Sequence, residues 1–553
     1  MLSRRRLLIA STAAALSVPV LTKVLGSTAS AATPTTLPLD LANGTTSSTV
    51  YAYVLGRDPA AGGTWAFVQA DGRSLYHPPS PANDQTPLGT DCAIALSAPG
   101  AAARTVTLPY LYSGRIYFSV GEKLTFLMNR GGGLALPSVS NPSDPNINIR
   151  HDFCEFTYNT DQLYANITFV DMVCLPLAFR LETGQGTQTV QGLPADGLSR
   201  VAGALRAQSA ADGSDWNKLI VSSGGADLRV LSPNLAIRGN SSLFAGYFDS
   251  YVNQVWDRYG STDLKIDTQA GWGTVTGRVS GDQLNFPGVG SFTKPSTLSI
   301  FSCSDAPFTT GNDEMGNLSA RLAAALNRTT LLDNPNQPDG ERPSSFYTQA
   351  RTNHYARILH GTTPDGLGYA FPYDDVHPDG VDFEGRVQSS SPTRFRITVG
   401  GSGTNPGPTP TATETGGAGA FSTIQAESFS AQSGSSLESC SDTGGGQDVG
   451  WLANGDWLKY AGVAFGSTGA TRFTARVASG AAAGVSGLVQ VRLGSPTATP
   501  VGGFAVASTG GWQSWRTIPG DISRVTGTQD VYLTFDSGQP ADFVNINWFT
   551  FNA

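Results

Sequence analysis

Charge is scarce in this 553-residue chain: Asp, Glu, Lys and Arg make up 14% of it, 43 acidic against 35 basic, for a formal net charge of −8. Nucleic acid is therefore excluded as the expected partner, because phosphates call for a clustered basic face. Cysteine is scarcer still. Cys92, Cys154, Cys174, Cys303 and Cys440 are scattered, with no CxxC and nothing like a zinc framework. Cys154 and Cys174 either pair or stay as buried free thiols. The histidines His77, His151, His354, His360 and His377 lack metal-ligand spacing, and no GxSxG elbow or Gly-rich phosphate loop occurs. Beyond the N-terminus no apolar run approaches about 18 residues, so a soluble monomer without a membrane partner is expected.

The N-terminus reads SRRRLLIASTAAALSVPVLTKVLGSTASAA, with Arg4, Arg5 and Arg6 before an apolar stretch and Ala29-Ser30-Ala31 suited to cleavage. The pattern Ser3-Arg4-Arg5-x-Leu7-Leu8 points to a twin-arginine signal over residues 1–31 and a secreted bacterial protein. The 65 glycines and low charge suit a turn-rich, mainly β chain of several domains. At GGSGTNPGPTPTATETGGAGA, residues 400–420, Gly, Pro and Thr leave nothing to pack, which marks an interdomain linker.

Upstream, TVYAYVLG, WAFVQ, RTVTLPYLYSGRIYFSV, LTFLM, HDFCEFTYN and ANITFVDMVCLPLAFRL read as short strands between turns. Helical spacing then appears in SRVAGALRAQSAADGSDWNKLI, SSLFAGYFDSYVNQVWDRYG and MGNLSARLAAALNR. The second puts Leu243, Phe244, Tyr247, Tyr251, Val252, Val255 and Trp256 on one stripe, from a Ser start to Gly260. LKIDT, WGTVTGRVSG and STLSIFSC look like strands. The expectation is a β lobe of residues 38–185 plus 366–399 with a mixed α/β lobe, 186–365, inserted in it and a cleft between them.

Two carboxylates stand out. In HDFCEFTYN the alternation puts Glu155, Thr157 and Asn159 in a polar row on one face, which taken alone suits a solvent side. In ITFVDMVCLPLAF, Asp171 sits in an otherwise apolar run, so it is on a wet face, neutralised or at work. If the turn NTDQLYAN lays the two segments side by side, Glu155 and Asp171 share one cleft. An acid kept protonated beside a base kept ionised is what glycoside hydrolysis needs.

DFCEFTYN followed by QLYANITFVDMVCLPLAFRL resembles the signature region of glycoside hydrolase family 64, bacterial β-1,3-glucanases, over roughly residues 38–400. The resemblance implies a β lobe related in shape to thaumatin-like proteins, a wide groove, and endo-type hydrolysis of laminarin- or curdlan-like glucans with inversion. It implies Glu155 as general acid and Asp171 as general base, with no cofactor for catalysis. It also implies that Thr157, Asn159 and Thr168 hydrogen-bond sugar hydroxyls, and that Tyr164 offers a ring where other members carry Trp. Asp374 and Asp375, in FPYDDVHPDG, match acidic groove residues; a plain Asx turn is the other reading.

Residues 421–553 alternate polar and apolar between glycine turns, as a β-sandwich of jelly-roll type would. IQAE, GWLANGDWLKY, GGWQSWRT and NINWF resemble carbohydrate-binding module family 6. That implies a sugar sandwiched between Trp451 and Trp512 with Asn545 hydrogen-bonding it. It also implies a structural calcium near Gln425 and Glu427, where Gln425 and Asn547 lower the ligand charge relative to the family pattern. The alternatives are a non-catalytic, thaumatin-like glucan-binding protein and a glycosidase of another polymer such as xylan.

Overall fold

The structure is a computed structural model that describes residues 33–378, 382–401, 420–421, 423–442 and 447–552. The signal-peptide reading and most of the linker reading lie outside these residues. The chain forms two compact units that part at residues 407 and 408. Among the described residues, no helix is long and apolar enough to cross a membrane.

The first unit is built on two sheets. One, of five strands, runs in the order Gly186–Val190, Leu177–Thr183, Pro392–Val399, Thr36–Asn43, Arg104–Pro109. The last strand of the unit thus returns to lie parallel to the first, pairing Leu39 with Phe395 and Leu41 with Ile397. The other sheet runs Arg386–Ser389, Leu163–Asn166, Arg150–Tyr158, Leu111–Val120, Val50–Asp58, Thr64–Val68, Leu75–Tyr76, with Ile94–Ala95 beside Val50–Asp58. Both sheets face one core, the strands Thr36–Asn43 and Val50–Asp58 burying most of their side chains and the edge strand Gly186–Val190 only its last. One contact there depends on a glycine: a Cβ on Gly114 would stand 2.5 Å from the Phe156 ring of the neighbouring strand.

Between these β elements lie the helices Gly197–Asp212, Pro233–Gly239, Asp249–Tyr259, Thr297–Ser302, Glu314–Arg328 and His354–Thr362, with small sheets from residues 220 to 337. Gly186–Val190 still belongs to the first sheet, so the α/β lobe begins later than the sequence suggested.

Three elements differ from expectation. The stretch 167–179 is not one strand: Thr168 bridges to Tyr369, the chain bends at Val170 and Asp171, Met172–Val173 pairs with Ala226–Leu231, and Leu177–Thr183 follows. The helix ending at Gly260 begins only at Asp249, because Phe244 (φ 53°) and Gly246 (φ 66°) are left-handed. Phe244 and Tyr247 instead pack edge-on against Trp216, so burial overrides helical spacing. STLSIFSC is a helix, capped by the Ser296 hydroxyl accepting the Ser299 N–H.

Among the described residues, the second unit is one network of nine strands, including two long ones, Trp457–Ser479 and Gly511–Asp536. Register breaks along them accompany bends, and a separate core of Val449, Leu458, Phe473, Leu533 and Phe549 is enclosed, as in a sandwich.

Candidate active site

Strand Arg150–Tyr158 alternates from Cys154 onward, turning Cys154, Phe156 and Tyr158 inward and leaving Glu155 and Thr157 half-exposed. The hairpin to Leu163–Asn166 sets Glu155 opposite Asn166 and Thr157 opposite Tyr164. Cross-strand partners share a face, so these four side chains form one surface. Asn159 closes the hairpin: its side-chain oxygen accepts the N–H groups of Asp161 and Gln162, leaving only its NH2 to offer a ligand.

On the other side of Glu155, strand Leu111–Val120 brings Arg115 into register with it. The guanidinium donates to Glu155 Oε1 at 3.0 Å, to the Tyr117 hydroxyl at 3.2 Å, and lies 4.3 Å over the Phe153 ring. Glu155 keeps 17% side-chain exposure, so its carboxyl is largely desolvated and still reaches solvent. Burial raises its pKa; Arg115 opposes, the Asp171 charge adds, and the net direction is upward.

Asp171 lies on the bend. Its backbone oxygen accepts the Ser232 N–H at 2.9 Å, which joins it to the helix Pro233–Gly239 that Ser232 caps. Just beyond, the buried Asp152 carboxylate accepts the N–H groups of Cys174 and Leu175, fixing the exit from the bend to the Glu155 strand. Before it, Phe169 N–H donates to Tyr369 O and the Tyr355 hydroxyl to Phe169 O. The bend is thus held at both ends. Glu155 and Asp171 act electrostatically on each other and on Arg115, which puts them in one site.

Thr168 and Asp374, implied as a sugar ligand and an acidic groove residue, are both buried. Thr168 is buried and its hydroxyl oxygen accepts the Val170 N–H at 3.3 Å. Asp374 is 0% exposed, and Arg328, His360 and the Ala370 N–H occupy its carboxylate. Asp375 is half-buried and accepts from the Tyr369 hydroxyl at 3.2 Å.

Four neighbours went unnoticed in the sequence. Arg115 and Tyr117 are ordinary strand residues until the long-range pairing is known. Asn166 has a buried side-chain oxygen without a protein partner, next to Glu155. Glu384 is buried, accepts the Tyr164 hydroxyl at 3.2 Å and pairs with Arg386. Burial pushes its pKa up to about 8, with the Asp375 charge adding. All five cysteines are buried and free, so Cys154 and Cys174 do not pair.

In the second unit, Trp512 is 37% exposed and its ring lies against Gly480, where a Cβ would be 2.6 Å away. Asn545 donates to the Trp512 backbone oxygen at 3.2 Å and to Glu438, and lies against Gly450, beside half-buried Trp451. Asn545 and Trp512 are therefore neighbours, and Trp451 is next in the chain to Gly450, which Asn545 touches. Glu427 carries a buried carboxylate oxygen without a partner, which fits a cation, while Gln425 is exposed beside it. No group of three His, Cys, Asp or Glu suited to a metal occurs among the described residues, so such a site would rest on one carboxylate and neutral oxygens.

Comparison with known proteins bears on both units. A family profile described as β-1,3-glucanase (Glyco_hydro_64) matches residues 35–399, and one described as carbohydrate binding module (family 6) matches 425–553. A glucan endo-1,3-β-glucosidase of Cellulosimicrobium cellulans is 33% identical over 354 residues; the match spans 62% of this chain and 62% of that protein's length. A crystal structure of a laminaripentaose-producing β-1,3-glucanase in complex with laminaritetraose superposes with a TM-score of 0.59 at 36% identity, covering 66% of this chain and 98% of that one. The second unit is 41% identical over 133 residues to part of endo-1,4-β-xylanase A of Thermoclostridium stercorarium, spanning 24% of this chain and 19% of that protein.

Proposed function

Because the chain belongs to glycoside hydrolase family 64, the β-1,3-glucanase family, and carries a family 6 carbohydrate-binding module, we propose that it is an endo-acting glucan 1,3-β-glucosidase that cleaves laminarin- and curdlan-like polymers with inversion. The observation that carries the reading is the half-buried Glu155 carboxyl, bonded to Arg115 and near enough to Asp171 for the two carboxylates to act on each other electrostatically. The protonated Glu155 carboxyl gives its proton to the glycosidic oxygen as the C1–O bond breaks. Asp171 takes a proton from a water whose oxygen attacks C1 from the opposite side, so one proton enters and one leaves the site per cycle. Thr157, the Asn159 NH2 and Asp375 hydrogen-bond sugar hydroxyls, and Tyr164, held by Glu384, supplies a ring face.

The β lobe is read as thaumatin-like and the second unit as a glucan-binding module that stacks a sugar between Trp451 and Trp512 with Asn545 orienting it. A structural calcium there would be held by Glu427 and the Gln425 amide oxygen. Twin-arginine export of the folded chain is supported by the Arg4-Arg5 motif and by five buried, unpaired thiols, which a chain folded in a reducing cytosol retains.

Reducing-sugar release from soluble laminarin and insoluble curdlan tests the reading, comparing the full chain with a chain ending at residue 401. Both should cleave laminarin at similar rates, and the shortened chain should act about tenfold more slowly on curdlan, where tethering raises local concentration. Equal loss on both polymers would contradict this division of work, and no release by the full chain would overturn the activity itself.

A further inference from the structure

Trp272 lies outside the catalytic surface described above, yet its setting has the marks of a ligand contact. It is 44% exposed, although tryptophan is on average among the more buried side chains. The loop that carries it, between strands Leu264–Asp267 and Thr274–Ser280, is far from slack. Thr268 donates through both its N–H and its hydroxyl to Gly273 O, Gly273 N–H donates to Ala270 O, and Gln269 N–H donates to the Asp267 carboxylate. The helix Glu314–Arg328 braces it from behind: Arg321 donates to Asp267 O and to the Gln269 side chain, and Asn317 to Thr268 O. An indole held toward solvent by a loop this firmly fixed is preorganised for a partner.

The loop's last bond says where that partner runs. Gln269 donates its side-chain amide to His377 O at 2.9 Å, two residues past Asp375, and the Asp375 charge also reaches Arg321. Asp375 is in turn bonded to Tyr369, whose backbone bridges Thr168 on the segment leading to Asp171. Trp272 therefore stands on the α/β lobe, one loop away from the segment that carries Asp375, while Tyr164 stands on the β lobe. An indole carries no charge of its own, so it suits a ligand that presents an apolar face with polar edges, as a pyranose does.

We propose that Trp272 is a stacking platform for a glucosyl unit distant from the cleaved bond, a subsite that makes the enzyme favour long glucan chains. The inference rests on the β-1,3-glucanase reading. It is tested with the full chain, Trp272→Ala and Trp272→Phe, by laminarin kinetics and by the tryptophan emission spectrum as laminarin is added. Trp272→Ala should raise KM about tenfold with kcat lowered less than about threefold, and Trp272→Phe should keep KM within about threefold, because a smaller ring still stacks. The wild-type-minus-Trp272→Ala emission difference, which isolates one indole of nine, should change on adding laminarin. A KM for Trp272→Ala within about twofold of wild type would overturn the subsite. Should the wild-type chain release no sugar, the activity reading fails by itself, and the emission difference decides: a laminarin-dependent change supports the platform and an unresponsive one overturns it.

Discussion

Glu155→Gln should lower kcat on laminarin by roughly 10²–10⁴-fold while leaving the protein folded and able to bind glucan, and Asp171→Asn should do the same. Gln keeps the shape of Glu and an oxygen for the Arg115 donor at 3.0 Å, so the fold loses little; what disappears is the transferable proton. Because acid and base act in one event, the double variant should be scarcely slower than the worse single one. The pH profile distinguishes the acid further. Burial and the Asp171 charge raise the Glu155 pKa against the opposing Arg115, and the protonated form is the working one, so kcat/KM should fall as pH rises through that value. Arg115→Met removes the opposing charge and should move this alkaline limb to higher pH. A limb that stays put in Arg115→Met would mean that another group sets it.

The second large effect lies in the core behind the groove. Arg328 donates to the Asp374 carboxylate at 2.8 Å and to Asp374 O at 2.7 Å, with further support from Val376 O and from the rings of Phe346, Phe371 and Phe383. His360 completes the set at 2.9 Å. Arg328→Met should destabilise the first unit by about 3–5 kcal/mol, since it strands a buried carboxylate. Arg328→Lys should recover little, because a single ammonium cannot reproduce the fork. A loss below about 1 kcal/mol in the urea midpoint would show that the pair is replaceable.

The same cluster sets a pH window. Burial opposes ionisation of Asp374, but His360, Arg328 and the Ala370 N–H outweigh it and hold its pKa below the ordinary value; its contribution is present above about pH 4 and fades as pH falls through the folded value. Burial also opposes the charge on His360, yet Asp374 raises its pKa; that contribution is full below about pH 6.5 and is lost as pH rises through the higher folded value. The wild-type advantage over Arg328→Met should therefore shrink toward acid, where the stranded carboxylate is protonated.

What was legible in the sequence was local. The polar row Glu155, Thr157, Asn159 follows from a period of two, and the helix Glu314–Arg328 from the apolar spacing of MGNLSARLAAALNR. What was not legible depended on distant partners. Asp374 and Asp375 are chemically identical neighbours, and only Arg328 and His360, 46 and 14 residues away, decide which of them is fully buried in an ion-pair cluster. Likewise the apolar run around Asp171 reads as a strand until Thr168 is seen bridging to Tyr369 and Asp171 to Ser232, contacts that bend the chain and present the carboxylate. Thr297–Ser302 was lost because Leu, Ile and Phe in a short run fit helix and strand equally well.

The central claim is that Asp171 activates a water across the sugar from Glu155. Anomer-resolved NMR of the first products released from laminarin by the wild-type chain tests it most directly. The account predicts α-anomers at early times, relaxing to the equilibrium mixture. β-Anomers appearing first would mean that a carboxylate, not water, attacks C1, and would contradict the roles assigned to both residues.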